Sequence, residues 1–312
     1  MNPVSRAAKA SKTVVIDTDP GVDDALAIMF ALAYGLPVRA LTTVFGNAKI
    51  EDVTANAGTI LSLMKSGLPV YAGSSKPLVV EAVLAKSHGD GGFGGYRSGS
   101  PRAAQAQGAV DYLADLLERE PSGSVTVVLL GPATNLARLA SARPELMGKI
   151  GSVIALGGVL GKGNMNEYAE FNALNDPQAL AAVLALPCPV SLIPIDACRK
   201  VMFTLEELSG IGGGLGGPLR DIAQAYVRYY TKAPGYGGFS GGVMYDLLAT
   251  GFLARPDLFK TRASRVDVEL ADPVRLAQTR EVPGTPNCEL VTDVDAPALK
   301  ELFFAAVGGA SR

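Results

Sequence analysis

Tryptophan is absent from these 312 residues, and histidine occurs once, at His88. A zinc site built on imidazoles is therefore excluded, and the three cysteines do not replace it. Cys188, Cys198 and Cys288 are scattered, with neither metal-ligand spacing nor an even number for disulfides. A reducing, cytoplasmic setting is expected from that usage. Positive charge is not in excess either: the formal net charge is −2, the sequence pI is about 5.6, and no basic run is interleaved with aromatics. Nucleic acid and anionic membrane are thereby excluded as main partners. Long apolar runs are missing too. The most apolar stretch, Ala25 to Leu36, is too short to span a bilayer and follows directly on two acids. The opening MNPVSRAAKASK carries positive charge without an apolar run behind it, so it does not read as a secretory signal.

Apolar content is ample for a core, at 48%. It is organised as apolar strands alternating with helices, which predicts an α/β fold: a single domain with a mostly parallel, Rossmann-like sheet flanked by helices. Expected strands are Thr13–Asp17, Val38–Val44, Ser124–Leu130, Ser152–Leu156 and Pro189–Ile195. Expected helices include Val53–Lys65, Ala109–Glu118, Thr134–Ala142 and Pro177–Ala185. Near the C-terminus, Arg265–Leu270, Val274–Glu281 and Glu289–Val294 read as a small antiparallel extension, followed by a helix over Ala296–Val307. Residues 1–12 are expected to be disordered or flexible, and residues 13–308 to form the domain. Nearly every expected strand ends in a loop of unusual composition: DTDPG, TTVFGN, LLGPATN, LGGVLGKGN and IPIDAC. Ligands of open parallel sheets bind beyond the carboxyl ends of the strands, so these loops should share one rim.

Three segments are rich in glycine: His88–Gly99, Ser209–Gly217 and Pro234–Gly242. The middle one reads as a surface loop. The first and third carry Phe93, Tyr96, Tyr236 and Phe239, and loops with aromatic tips suit closure over a ligand. Two nucleotide-binding motifs are absent. LGKGN has Gly163 where a phosphate-binding loop needs Ser or Thr, and the turn after the first strand is acidic where a dinucleotide fingerprint needs Gly-x-Gly.

That acidic turn, DTDPGVDD at residues 17–24, is the most informative stretch. Asp17 and Asp19 share one face of the strand, and Asp23 and Asp24 open a helix, where free N–H groups favour acids. One or two of them could simply be caps. Four together are harder to explain, because two charges about 5 Å apart repel by roughly 3 kcal/mol at an effective dielectric of 20. A buried divalent cation resolves the conflict, and an all-oxygen set suits a hard ion such as calcium. A second polar run, GNMNEYAEFNALNDP at 163–177, offers Asn164, Asn166, Glu167, Glu170, Asn172, Asn175 and Asp176. Some of these could be a solvated helix start, but amides beside carboxylates also suit a polyhydroxylated ligand such as a sugar.

Taken together, DTDPGVDD, TTVFGN, GPATN, the GN…AEFNxxxDP segment and a late Asp after a Gly-rich loop resemble the nucleoside hydrolase family, the inosine-uridine-preferring type, from Val14 to about Phe304. The resemblance implies hydrolysis of the N-glycosidic bond of a small-molecule ribonucleoside, with Ca2+ as cofactor and a homodimer or homotetramer as assembly. It implies a metal site made of Asp19, Asp24, the Leu130 carbonyl and Asp246, with Asp19 also the general base. It implies sugar contacts from Asp23, Asn47, Asn164, Glu170 and Asn172. Family members often carry a histidine just before the late Asp, where this chain has Tyr245 in SGGVMYDLLA. Tyrosine gives up its proton reluctantly, with an ordinary pKa of about 10 against about 6.5 for histidine. Three readings of leaving-group assistance stay open: Tyr245 acts directly, His88 swings in with its loop, or the substrates need little protonation. The purine-specific branch stacks its base on tryptophans, which are missing here. Tyr230 lies in a segment resembling one that reaches the base, and Tyr236 and Phe239 could stack on it.

Two other classes compete with the hydrolase. A calcium-dependent nucleoside- or ribose-binding protein without turnover would explain the change at Tyr245, but not the retention of Asp19. An Asp-nucleophile phosphatase would explain Asp17-x-Asp19, but not the sugar-directed asparagines.

Overall fold

A computed structural model describes residues 13–94, 96, 101–209, 211, 216–232 and 240–309. Its centre is an eight-stranded sheet in the order β3-β2-β1-β4-β5-β6-β12-β9. The strands are β1 (Thr13–Thr18), β2 (Val38–Thr43), β3 (Val70–Ala72), β4 (Val125–Leu129), β5 (Ile150–Leu156), β6 (Val190–Ile193), β9 (Phe259–Ser264) and β12 (Cys288–Val294). All neighbours run parallel except β9, which closes the edge antiparallel to β12. Two antiparallel pairs stand apart: β7 (Met202–Phe203) with β8 (Gly242–Val243), and β10 (Val266–Val268) with β11 (Thr279–Glu281).

The expected α/β architecture is therefore present, with one correction. Glu289–Val294 belongs to β12 inside the main sheet, parallel to β6 on one side and antiparallel to β9 on the other, so near the C-terminus the separate antiparallel extension among the described residues is the β10–β11 hairpin. The signal is ambiguous because a short strand with three polar positions, Glu289, Thr292 and Asp293, looks the same at a sheet edge or in a hairpin. β3, β7, β8 and β9 have no counterpart among the expected strands. β3 has three residues, and FKTRAS in β9 buries only its two end residues.

Alternation along β1 sends Val14 and Ile16 into one apolar cluster and Val15 into the other. On the first face lie helices Val22–Ala33, Leu247–Ala254 and Ala296–Gly309. On the second lie Ala109–Arg119, Thr134–Ala142 and Pro177–Leu184. Helix Val22–Ala33 is buried from Val22 through Ala31, which explains its lack of a polar face. No helix among the described residues is long and apolar enough to cross a membrane. The strand order reverses between β1 and β4, and a ligand crevice is expected beyond their carboxyl ends. The residues after β1, β2, β4 and β5 meet there.

Candidate active site

A cavity of about 310 Å³ opens at this switch point. Asp19, Asp23, Asn47, Leu130, Asn172 and Asp246 line its floor, with Asn164 and Glu170 beside them. Asp24 is fully buried beneath it. Asp19 is gripped closely. The Asn47 amide donates to its Oδ2 at 2.7 Å, and the Asn47 side chain reaches the Asp19 carbonyl at 3.0 Å and Asp24 Oδ2 at 3.1 Å. Glycines flank its carboxylate: a Cβ on Gly46 would lie 2.0 Å from Oδ2, and one on Gly131 2.6 Å from Oδ1. Asp24 accepts from Thr18 Oγ1 and from the Gly21 amide at 2.9 Å, so it caps its helix as well as facing the other acids.

Oxygens of Asp23, Asp24 and Asp246 lie within 4.8 Å of one another. Burial, reinforced by the neighbouring carboxylates, holds Asp19 and Asp246 well above the ordinary carboxylate range and pushes Asp23 up to about 8. Asp24 is raised as well, by burial. Asp23 Oδ1 is inaccessible and has no hydrogen-bond partner. Crowded carboxylates with an unpartnered oxygen are what a hard cation would satisfy, so the donor set fits a metal ion. The tightest trio includes Asp23, which the resemblance assigned to the sugar.

Asp17 plays a different part from its neighbours. It points to the opposite face of the sheet, where Asn135 Nδ2 donates to it at 3.0 Å, and burial raises it to about 7. Asn135 also donates to the Thr43 carbonyl and accepts from the Ser74 amide, tying three strand ends together.

The second polar run divides similarly. Glu170 caps the short helix Phe171–Asn175, accepting from the amides of Asn172 and Ala173, and also from Gly158. Asn172 donates to the Leu130 carbonyl at 2.6 Å. Asn164 keeps a buried Oδ1 with no partner, on the cavity wall. Asn175 and Asp176 instead bind the amides of Val83 and Leu78, and Asn166 Oδ1 accepts from Tyr168 and Ala169. These last three hold loops.

His88, Tyr229, Tyr230 and Tyr245 form the flank above the floor. His88 needs no swing to arrive. It is buried, its Nδ1 accepts from the Val22 amide at 3.1 Å, and it lies 3.8 Å from Asp23 Oδ1. Burial lowers its pKa to about 3, so the ring is neutral, with its proton on Nε2. Only glycine fits at position 21 beneath it, since a Cβ there would lie 2.6 Å from His88 Nδ1 and 2.7 Å from Asn47 Nδ2. Phe93 is a correction: it is fully buried in the apolar core, and anchors its loop where an exposed aromatic tip was expected. Tyr236 and Phe239 lie outside the described residues.

The family model for inosine-uridine preferring nucleoside hydrolase matches residues 14–301. The chain belongs to this family. A pyrimidine-specific ribonucleoside hydrolase RihA from Salmonella agona is 33% identical over 302 residues, covering 93% of this chain and 96% of that relative. One from Klebsiella pneumoniae is 33% identical with the same coverage. Among solved structures, a purine-preferring ribonucleoside hydrolase from Gardnerella vaginalis superposes with a TM-score of 0.88 at 28% identity, covering 96% of this chain and 99% of that one. The plant nucleoside hydrolase PpNRh1 superposes at 0.87 and 28% identity, covering 95% and 98%. As a nucleoside hydrolase, the chain is an N-glycosyl hydrolase.

Two residues of this nucleoside hydrolase were invisible to sequence reasoning. Asn56 donates to the carbonyls of Pro20 and Gly91, joining the acidic turn to the His88 loop. Tyr226 packs on His88 with ring centroids 5.0 Å apart. Its only advance signal is the four-residue spacing to Tyr230 on helix Gly216–Lys232.

Proposed function

We propose that this nucleoside hydrolase cleaves ribonucleosides to ribose and free base with calcium on the acidic floor, and that Asp19 is the general base. The observation that carries this reading is the composition of one cavity: acids and amides at the floor, aromatic rings at the flank. Asp19, Asp24, Asp246 and the Leu130 carbonyl would hold the ion, with Asp23 close enough to join them. When bound, calcium lowers the pKa of a water molecule and gathers sugar hydroxyls.

Asp19 takes the proton of the attacking water as its oxygen bonds to C1′. The C1′–N bond breaks and its electron pair leaves with the base. The unpartnered oxygens of Asp23 and Asn164 suit ribose hydroxyl donors, and Asn47 and Asn172 keep the floor rigid around them. Contacts of this kind strengthen as the sugar flattens toward an oxocarbenium ion. At the flank, the neutral His88 offers a hydrogen bond from Nε2 and not a titrating proton, and Tyr245, on the wall of the same cavity, is the hydroxyl that in this reading assists the departing base. The relatives include a pyrimidine-specific and a purine-preferring enzyme, and in this reading the aromatic flank is the part of the cavity that selects the base.

Reducing-sugar release from inosine, adenosine, guanosine, uridine and cytidine, with calcium and after chelation, tests the reading. Calcium-dependent ribose release is expected. Nucleoside that binds with calcium and is recovered unchanged would instead establish a binding protein.

A further inference from the structure

Tyr226 lies in no motif, yet it touches three separate parts of the chain that carry site residues. Its ring stacks on His88 at 5.0 Å and packs at a tilt against Tyr230 at 4.7 Å. Its hydroxyl lies 3.4 Å from Asp23 Oδ2 and 3.2 Å from the Val243 carbonyl, two residues before Tyr245 and three before Asp246. Gly242 lets that strand lie flat on it, since a Cβ there would be 3.2 Å from the ring. The residue is 2% exposed. Packing alone would be served as well by phenylalanine, without a hydroxyl to desolvate.

We propose that Tyr226 is a positioning residue of the hydrolase. Its hydroxyl holds Asp23 by Oδ2 and leaves the unpartnered Oδ1 turned toward sugar and cation. Its ring fixes His88 beside the bond to be cleaved. The hydroxyl has one proton and meets the Asp23 carboxylate, the Val243 carbonyl and the side chain of Tyr230, and the Asp23 contact is longer than the one to Val243. Bringing in a ligand that draws on Asp23 Oδ1 is therefore coupled to how the proton is shared. The proposal rests on the hydrolase reading for its catalytic consequence, but not for its binding consequence.

The test compares the calcium-loaded wild type with Tyr226→Phe, which removes only the hydroxyl. A loss of about 10–100-fold in kcat/KM is expected, of the size seen when outer partners of site ligands are removed. Calorimetric affinity for ribose and for calcium should fall with it. In an Asp23→Asn background, Tyr226→Phe should change ribose affinity by less than about twofold, because its route of action is gone. Equal losses in the two backgrounds would overturn the proposal, and so would a Tyr226→Phe enzyme with unchanged kcat/KM and affinities. If the variant melts at a lower temperature, binding measured well below its midpoint keeps the same two outcomes distinct. If the wild type releases no ribose from any nucleoside, the functional reading fails, while ribose and calcium affinities still decide the role of Tyr226.

Discussion

The floor and the flank of the cavity are built on different principles. Asp19 and Asp24 are fixed by groups close at hand on neighbouring strand ends: Asn47 and two glycines for Asp19, Thr18 and the Gly21 amide for Asp24. The flank is assembled from His88, Tyr226, Tyr230 and Tyr245, ring against ring, with one backbone amide holding the histidine. A floor fixed by directed hydrogen bonds suits chemistry that every substrate shares. A flank fixed by aromatic packing has looser geometric demands, and suits the part of the substrate that varies.

Three experiments would break or sharpen that contrast. Asp19→Asn keeps the shape and still accepts from the Asn47 amide, so the fold should persist while turnover falls by about 10³-fold. Reducing-sugar release together with a melting curve checks both halves, and near-wild-type rates would remove Asp19 from its role. Tyr245→Phe should be milder and selective, with about tenfold loss on nucleosides whose bases leave poorly and little change on nitrophenyl riboside. An equal effect on both substrates would show that the flank does not assist departure. The smallest effect concerns stability. Asp17 at about 7 and Asp23 at about 8 have folded pKa values raised by burial above an ordinary value near 4. The cation-free fold thus binds these protons more tightly than the unfolded chain does. Their contribution is fully present below about pH 4 and is lost as pH rises through 7 to 8. Calcium on the floor opposes that loss, so the melting-temperature gain from calcium should widen by a few degrees between pH 5 and pH 8. A gain that stays constant would mean that the ion and these acids are uncoupled.

The contrast also explains what could be read in advance. DTDPGVDD places four acids at a strand end and a helix start within eight residues, so its chemistry is written locally. The same holds for helix Thr134–Ala142, found at its expected bounds. Glu170 shows the limit of local reading: a carboxylate that caps a helix and one that grips a sugar both look like an acid beside polar neighbours. Phe93 and Tyr226 show a deeper limit. Whether a ring in or near a glycine-rich stretch tips a loop or anchors it depends on surfaces contributed from elsewhere in the chain.

Gly46 and Gly131 carry a consequence for how this protein can vary. Neither has a side chain to take part in chemistry, yet any side chain there would collide with Asp19 and displace it. A saturation scan should therefore find these two positions as intolerant of replacement as the acid between them. Exposed Glu167, inside the polar run at 163–177, should accept nearly anything. Intolerance to substitution, mapped across this chain, would trace the space around the reacting atoms as well as the groups that touch them.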